Sequence, residues 1–266
     1  MINNRYTFIM PFRIDSNERK RNLEFVLHWL CPLGAHILLL EADNVPRIES
    51  KSLDEHIEYE FIKDDNPIFH RTHYINQLLH KAQSEIVSIW DTDIITSYGQ
   101  IEEAINNIRA GAIISYPYNG EFIMLTRQLS EELIKRKKLE YVINQRLLPI
   151  FRRPFCGGAF FVNRNLYLSN GGENEHFTGW GPEDAERLRR VQIMGYQVKW
   201  TEKGKAYHLF HPRKENSRFF DENAAIEMRK ELVKVCCMNR EELYEYIKTL
   251  TLLRNGYKTF PPLSPT

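Results

Sequence analysis

The chain has 266 residues and near-equal numbers of basic and acidic side chains, for a net charge of +1. That length supports one sizeable α/β domain or two small ones, with a real core, and the charge balance gives no reason to expect nucleic acid or an anionic membrane surface as the main partner. Cys31, Cys156, Cys236 and Cys237 show no CxxC spacing, which argues for reduced, buried thiols in a cytosolic protein and against a structural zinc.

Residues 5–10 (RYTFIM) are strand-like. Residues 16–30 have helical period, with Ser16 as N-cap and Leu23, Val26, Leu27 and Leu30 on one face. The apolar stretch 25–40 is interrupted by His28, Pro32, Gly34 and His36 and is too short to span a bilayer. Strands are predicted at 35–41, 57–63 and 85–90, with a helix over 68–83 between the last two. A helix at 98–109 and a strand at 112–116 follow. Residues 221–250 read as two helices, the second capped by Asn239, and the tail after Gly256 as an extended or frayed arm. There is no internal repeat, low-complexity tract or long linker. The β-α alternation predicts a mainly parallel sheet with helices on both faces, whose ligands bind at the carboxyl ends of strands.

Asp91 and Asp93 lie at such an end, directly after EIVSIW. Two carboxylates two residues apart can hold a divalent cation and a ribose together, and hard oxygen ligands suit Mg²⁺ or Mn²⁺. The same triplet also fits a solvated turn. AYHLFHPR places His208 and His211 three residues apart, and sequence leaves their relative orientation open. Beside an acid pair they suit a metal that takes nitrogen and oxygen ligands, such as Mn²⁺.

GWGPEDAERL, residues 179–188, puts Trp180 between two glycines. Pro182 suits a helix start, and Glu183 and Asp184 then complement the positive end of a helix running to Met194, with Gly195 as its stop. That explains the acids but not the tryptophan. An aromatic on movable backbone can stack on a sugar, and a carboxylate at the next helix start can take a proton from a sugar hydroxyl.

The segment CGGAFFVNRNLYLSNGGENEHFTGWGPEDAERLRRVQIMGY resembles the C-terminal signature of the β-1,4-galactosyltransferase family and its chondroitin-synthase-like and polypeptide N-acetylgalactosaminyltransferase cousins. IMPFRIDSNERKRNLEFVLHWL, FHRTHYIN and WDTDII resemble the family's first strand, Phe-x-Arg helix start and metal triplet, in the same order. The resemblance covers roughly residues 6–218.

It implies an α/β GT-A fold, a UDP-sugar donor and an inverting, metal-dependent transfer of a hexose, galactose or N-acetylgalactosamine foremost. It also implies a saccharide or glycolipid acceptor, in surface polysaccharide or glycoconjugate synthesis. By position, Arg13, Phe69, Arg71 and Asp91 would contact the donor nucleotide, and Gly158 the donor sugar. Asp93, His208 and His211 would hold Mn²⁺ or Mg²⁺. Trp180 would gate and stack, Glu183 would bind sugar hydroxyls, and Asp184 would be the general base. Phe155 lies where the family tunes donor choice. On this reading residues 1–220 form the catalytic domain, with a donor half to about 115 and an acceptor half to 220, and residues 221–266 pack on it as helices and tail. Pro182 stands where the family has glycine and Ala185 where it has a third acid. The lack of an animal-type anchor and stem is expected of a bacterial, cytoplasmic enzyme, with peripheral membrane contact still open. A nucleotidyltransferase and a non-catalytic sugar- or nucleotide-binding domain are the alternatives; the first lacks a Gly-rich phosphate loop here, and the second would need neither Asp93 nor the histidines.

Overall fold

The computed structural model describes residues 3–151 and 154–252; the tail after Gly256 lies outside them. The first half alternates as the periodicity predicts. β1 (Asn3–Phe12) leads into α1 (Asn17–Leu30), where Ser16 accepts the Arg19 amide and Leu23, Val26, Leu27 and Leu30 are buried. β2 (Ala35–Asp43), β3 (Ile57–Lys63), α2 (Arg71–Lys81) and β4 (Ile86–Trp90) follow. β4 is buried at every position, as an inner strand covered on both faces must be. β5 (Ile94–Ile95) is short, and α3 (Tyr98–Arg109) starts in a capping box between Ser97 and Gln100.

The second half is more broken. It comprises β6 (Ile114–Tyr116), β7 (Phe122–Met124), α4 (Arg127–Arg136), α5 (Glu140–Ile143), β8 (Ala159–Asn163) and α6 (Arg164–Ser169). α7 (Glu183–Ile193), β9 (Val198–Trp200), β10 (Ala206–His208), α8 (Glu222–Cys236) and α9 (Arg240–Leu252) complete it.

Seven strands form one sheet in the order β3-β2-β1-β4-β8-β6-β9. All neighbours pair parallel except β8, which runs antiparallel to both β4 and β6. The expected largely parallel central sheet is therefore present. A second, three-stranded sheet, β5-β10-β7, sits beyond the end of β4. Its strands are two or three residues long, below the length at which sequence alternation is readable. α8 and α9 pack on α7 through a small cluster of Met194, Val235, Leu243, Ile247 and Leu250.

The cysteines differ in part from expectation. None of the four is in a disulfide among the described residues, but Cys31 and Cys156 are half-buried and Cys236 and Cys237 are exposed, because α8 ends there at the surface.

Candidate active site

β4 delivers Asp91 and Asp93 to the carboxyl end of the sheet. The Asp91 amide donates to the Gly158 carbonyl at 2.8 Å, which ties the triplet to the turn before β8. Arg71, at the start of α2, donates to the Asp91 carboxylate. Asp93 is buried, and the second sheet explains its neighbours. β10 runs antiparallel to β5 with His208 opposite Ile94, and the Leu209 amide donates to the Asp93 carbonyl at 2.8 Å. His208 Nε2 then lies 3.5 Å from Asp93 Oδ1, and His211 Nε2 lies 3.3 Å from Asp93 Oδ2.

This arrangement suits a cation. The Pro212 carbonyl needs a donor, so His211 Nδ1, at 3.0 Å, carries the proton and Nε2 carries the lone pair. That lone pair faces a carboxylate oxygen. Burial lowers the His211 pKa, which keeps the ring neutral. His208 Nδ1 is buried without a hydrogen-bond partner in the structure. One ligand atom from each of the three residues fits within 4.8 Å of the others. Two imidazoles and one carboxylate form a donor set for a borderline metal such as Mn²⁺.

Across from this group stands the start of α7. Burial, and then the adjacent Asp184, raise the Glu183 pKa to about 8. Its Oε2 is buried and has no hydrogen-bond partner among the described residues. Glu183 lines a pocket of about 160 Å³ with Trp180, Phe69, Arg71 and Phe219. Trp180 is 44% exposed and meets the Phe219 ring edge-on at 5.1 Å.

Asp184 is held differently. Its Oδ1 accepts from Arg187 Nη1 at 2.6 Å. Arg187 is fully buried, grips Glu173 through Nε and Nη2 at 2.8 and 2.9 Å, and lies over the Phe160 ring. Burial alone would raise the Glu173 pKa, but Arg187 holds it at about 2. Asn76 of α2 anchors the chain here by accepting the Glu173 amide. Asp184 also explains Gly157: a Cβ there would come within 2.1 Å of Asp184 Oδ2. Gly158 takes φ +80°, and its own Cβ would meet Phe122 and Ile94.

A sequence profile for the N-terminal domain of galactosyltransferase matches residues 138–212, the span that holds Gly157, Gly158, Trp180, Glu183, Asp184 and both histidines. The catalytic domain of Drosophila β1,4-galactosyltransferase 7, solved with xylobiose, superposes with a TM-score of 0.54 at 16% identity, over 89% of this chain and 82% of that one. A point mutant of that protein, with manganese, UDP-Gal and xylobiose, gives 0.51 at 17%, over 90% and 78%. GalNAc-T7 with UDP, GalNAc and Mn²⁺ gives 0.54 at 13%, over 86% of this chain and 47% of the other.

The chain has a GT-A glycosyltransferase fold.

In this GT-A frame Arg13 and Arg19, both soon after β1, take unequal positions. Arg13 is the one that the family pattern marks. Its Nε donates to the Ala42 carbonyl at 2.8 Å, Nη1 to the Asn66 carbonyl at 2.7 Å and Nη2 to Asp64 at 2.7 Å. Its guanidinium also lies 5.4 Å from the centre of the Phe69 ring. Arg13 thus ties loops together beside Phe69. Arg19, which sequence reasoning missed, lies 3.6 Å from Asp93 Oδ2 and donates to Ser217 Oγ at 2.8 Å. Its one available signal is position: it falls in the first turn of α1, three residues after the Ser16 cap. The Glu173–Arg187 pair was also missed, since its partners lie 14 residues apart and meet only in the folded chain.

The glycines around Trp180 are closely packed. A Cβ at Gly179 would lie 2.9 Å from Ile68, and one at Gly181 would lie 2.5 Å from Met228 Sδ.

Proposed function

We propose that this chain is a metal-dependent inverting glycosyltransferase that moves a hexose from a UDP-sugar to a saccharide hydroxyl. Galactose and N-acetylgalactosamine are the favoured sugars. The observation that carries this is the grouping of Asp93, His208 and His211 at the carboxyl end of β4, where the Asp91–Arg71 pair also lies and Arg71 lines one pocket with Trp180 and Glu183. UDP-Gal, GalNAc and manganese in the similar structures support the same chemistry.

A cation held by Asp93, His208 and His211 would supply positive charge to the leaving diphosphate. Arg71 and Asp91 would position the nucleotide, with Phe69 and Arg13 forming the wall for its base and Gly158 leaving room for the donor sugar. Arg19, which lies 3.6 Å from Asp93 and is also held by Asp15 and Ser217, would add a second cation at the diphosphate, while Arg13 ties Ala42, Asn66 and Asp64 together. Asp184, oriented by Arg187, would take the acceptor proton as the hydroxyl attacks the anomeric carbon from the face opposite the leaving group. Glu183, protonated below about pH 8, would donate a hydrogen bond to a sugar oxygen. Trp180 would stack on a sugar ring and shield the site from water.

The acceptor would be a saccharide, free or lipid-linked, in surface polysaccharide or glycoconjugate synthesis. Four cysteines, none in a disulfide among the described residues, are consistent with the reducing, cytoplasmic compartment proposed here. A thermal-shift screen of nucleotide sugars with Mn²⁺, followed by NMR of the product, tests the reading. An inverted anomeric linkage is expected. Stabilisation only by nucleoside triphosphates, with pyrophosphate release, would make it a nucleotidyltransferase instead.

A further inference from the structure

The overall charge of +1 conceals a strong local imbalance. Between residues 135 and 151 there are five basic side chains and one acid. Lys135, Arg136, Lys137, Lys138 and Arg146 are all exposed. The same stretch carries an unusual exposed apolar set. Leu148 is 86% exposed, the highest value for a large hydrophobic residue among the described residues, and Ile143, Ile150 and Phe151 are each between 44% and 49% exposed. A Leu at that exposure contributes almost nothing to the core. The basic residues follow from the end of α4 and the turn after it, where Lys137 takes φ +53° as the C-cap. The apolar residues lie on α5 and the irregular segment beyond it.

Arg136 pairs with Glu132 at 2.8 Å, and the other four cations share this short stretch with the exposed apolar residues, a combination that matches the interface of an anionic bilayer. The apolar groups enter the acyl boundary while the cations meet the headgroups. No helix among the described residues is long and apolar enough to cross a membrane, so the contact would be peripheral. The position is also apt. Phe151 stacks on Phe155 with ring centres 5.9 Å apart, and the Phe155 ring lies beside Gly157, against which Asp184 packs. The exposed strip therefore ends within a few side chains of Asp184.

We infer that residues 135–151 form a membrane-docking surface that seats the protein on an anionic lipid bilayer. The surface stands apart from the transferase reading. Only its use, presenting a lipid-linked acceptor to Asp184, rests on that reading.

Co-sedimentation with phosphatidylcholine vesicles, with and without one quarter phosphatidylglycerol, tests it without any donor. The full chain should bind the anionic vesicles at least about tenfold more strongly than the neutral ones, and lose binding in high salt. Leu148→Asp, and separately Lys138→Glu with Arg146→Glu, should each weaken binding about tenfold or more, with unchanged circular dichroism and unchanged UDP binding in Mn²⁺. Equal recovery on both vesicle types, or variants that bind like the parent, would overturn the proposal. So would sedimentation velocity showing a dimer that Leu148→Asp dissociates, since the strip would then be a self-association face.

Discussion

The Arg187 guanidinium, fully buried, donates to the Asp184 carboxylate across 2.6 Å. Asp184 is thus held by an element that cannot itself reach solvent, and Glu173 supplies the balancing charge below it. A carboxylate held this way has a fixed direction, as the base proposed for this site would need. Asp184→Asn should lower turnover by about 10²-fold or more, the scale of a lost general base, and leave UDP affinity in Mn²⁺ near that of the parent. Arg187→Lys keeps a charge but loses the two-point grip on Glu173. It should lower kcat far more than it raises KM. Stopped-flow or steady-state kinetics on both variants checks the pair; parental turnover in Asp184→Asn would place the base elsewhere.

Glu183 separates two readings of the acidic pair. Its folded pKa is raised to about 8, chiefly by burial, above an unfolded value near 4.5. Between these values the folded chain holds a proton that the unfolded chain has released. Stability should therefore fall as pH rises from about 4.5 to about 8 and level off above, the sign that linkage gives for a raised carboxyl pKa. Glu183→Gln should remove that slope in urea titrations. It should also keep much of the activity at pH 7, because an amide still donates, and it should blunt the loss of activity above pH 8. If Glu183 were the base instead, activity would climb toward pH 8 and the Gln variant would be inactive.

The beginning of this site was legible and its completion was not. A largely apolar run ending just before Asp91 announces β4 and its carboxyl end, because an inner strand covered on both faces is buried along its whole length. The spacing of His208 and His211 left their orientation undecided. The pairing of β10 with β5 decides it, and strands of two or three residues leave no periodic trace. Arg19 and Arg187 were illegible for another reason. An arginine held inside a site is recognisable only by its partners: Asp93 and Ser217 are far from Arg19 in the chain, and Glu173 meets Arg187 only once the turn before α7 has folded. A net charge near zero likewise carries no information on how charge is distributed, as in residues 135–151. Cys236 and Cys237 read as buried by residue type but face solvent at the end of α8.

Arg19 should show effects of opposite sign on two ligands. Beside Asp93 it competes with a cation, so Arg19→Gln should bind Mn²⁺ alone more tightly than the parent. With Mn²⁺ present the same variant should bind UDP about 10- to 100-fold more weakly, the scale of one charge-assisted hydrogen bond. Electron paramagnetic resonance of free Mn²⁺ and calorimetry of UDP binding read the two separately. A side chain that merely supported the fold would weaken both together.

The transferase reading is tested most directly by UDP release from UDP-galactose and UDP-N-acetylgalactosamine with a panel of saccharide acceptors, before and after chelation. Release should require the acceptor, fall to background in EDTA and return when Mn²⁺ is restored. Asp93→Asn and His211→Ala should each lower it by at least about tenfold at limiting Mn²⁺. Undiminished release in EDTA would contradict a metal held by Asp93, His208 and His211.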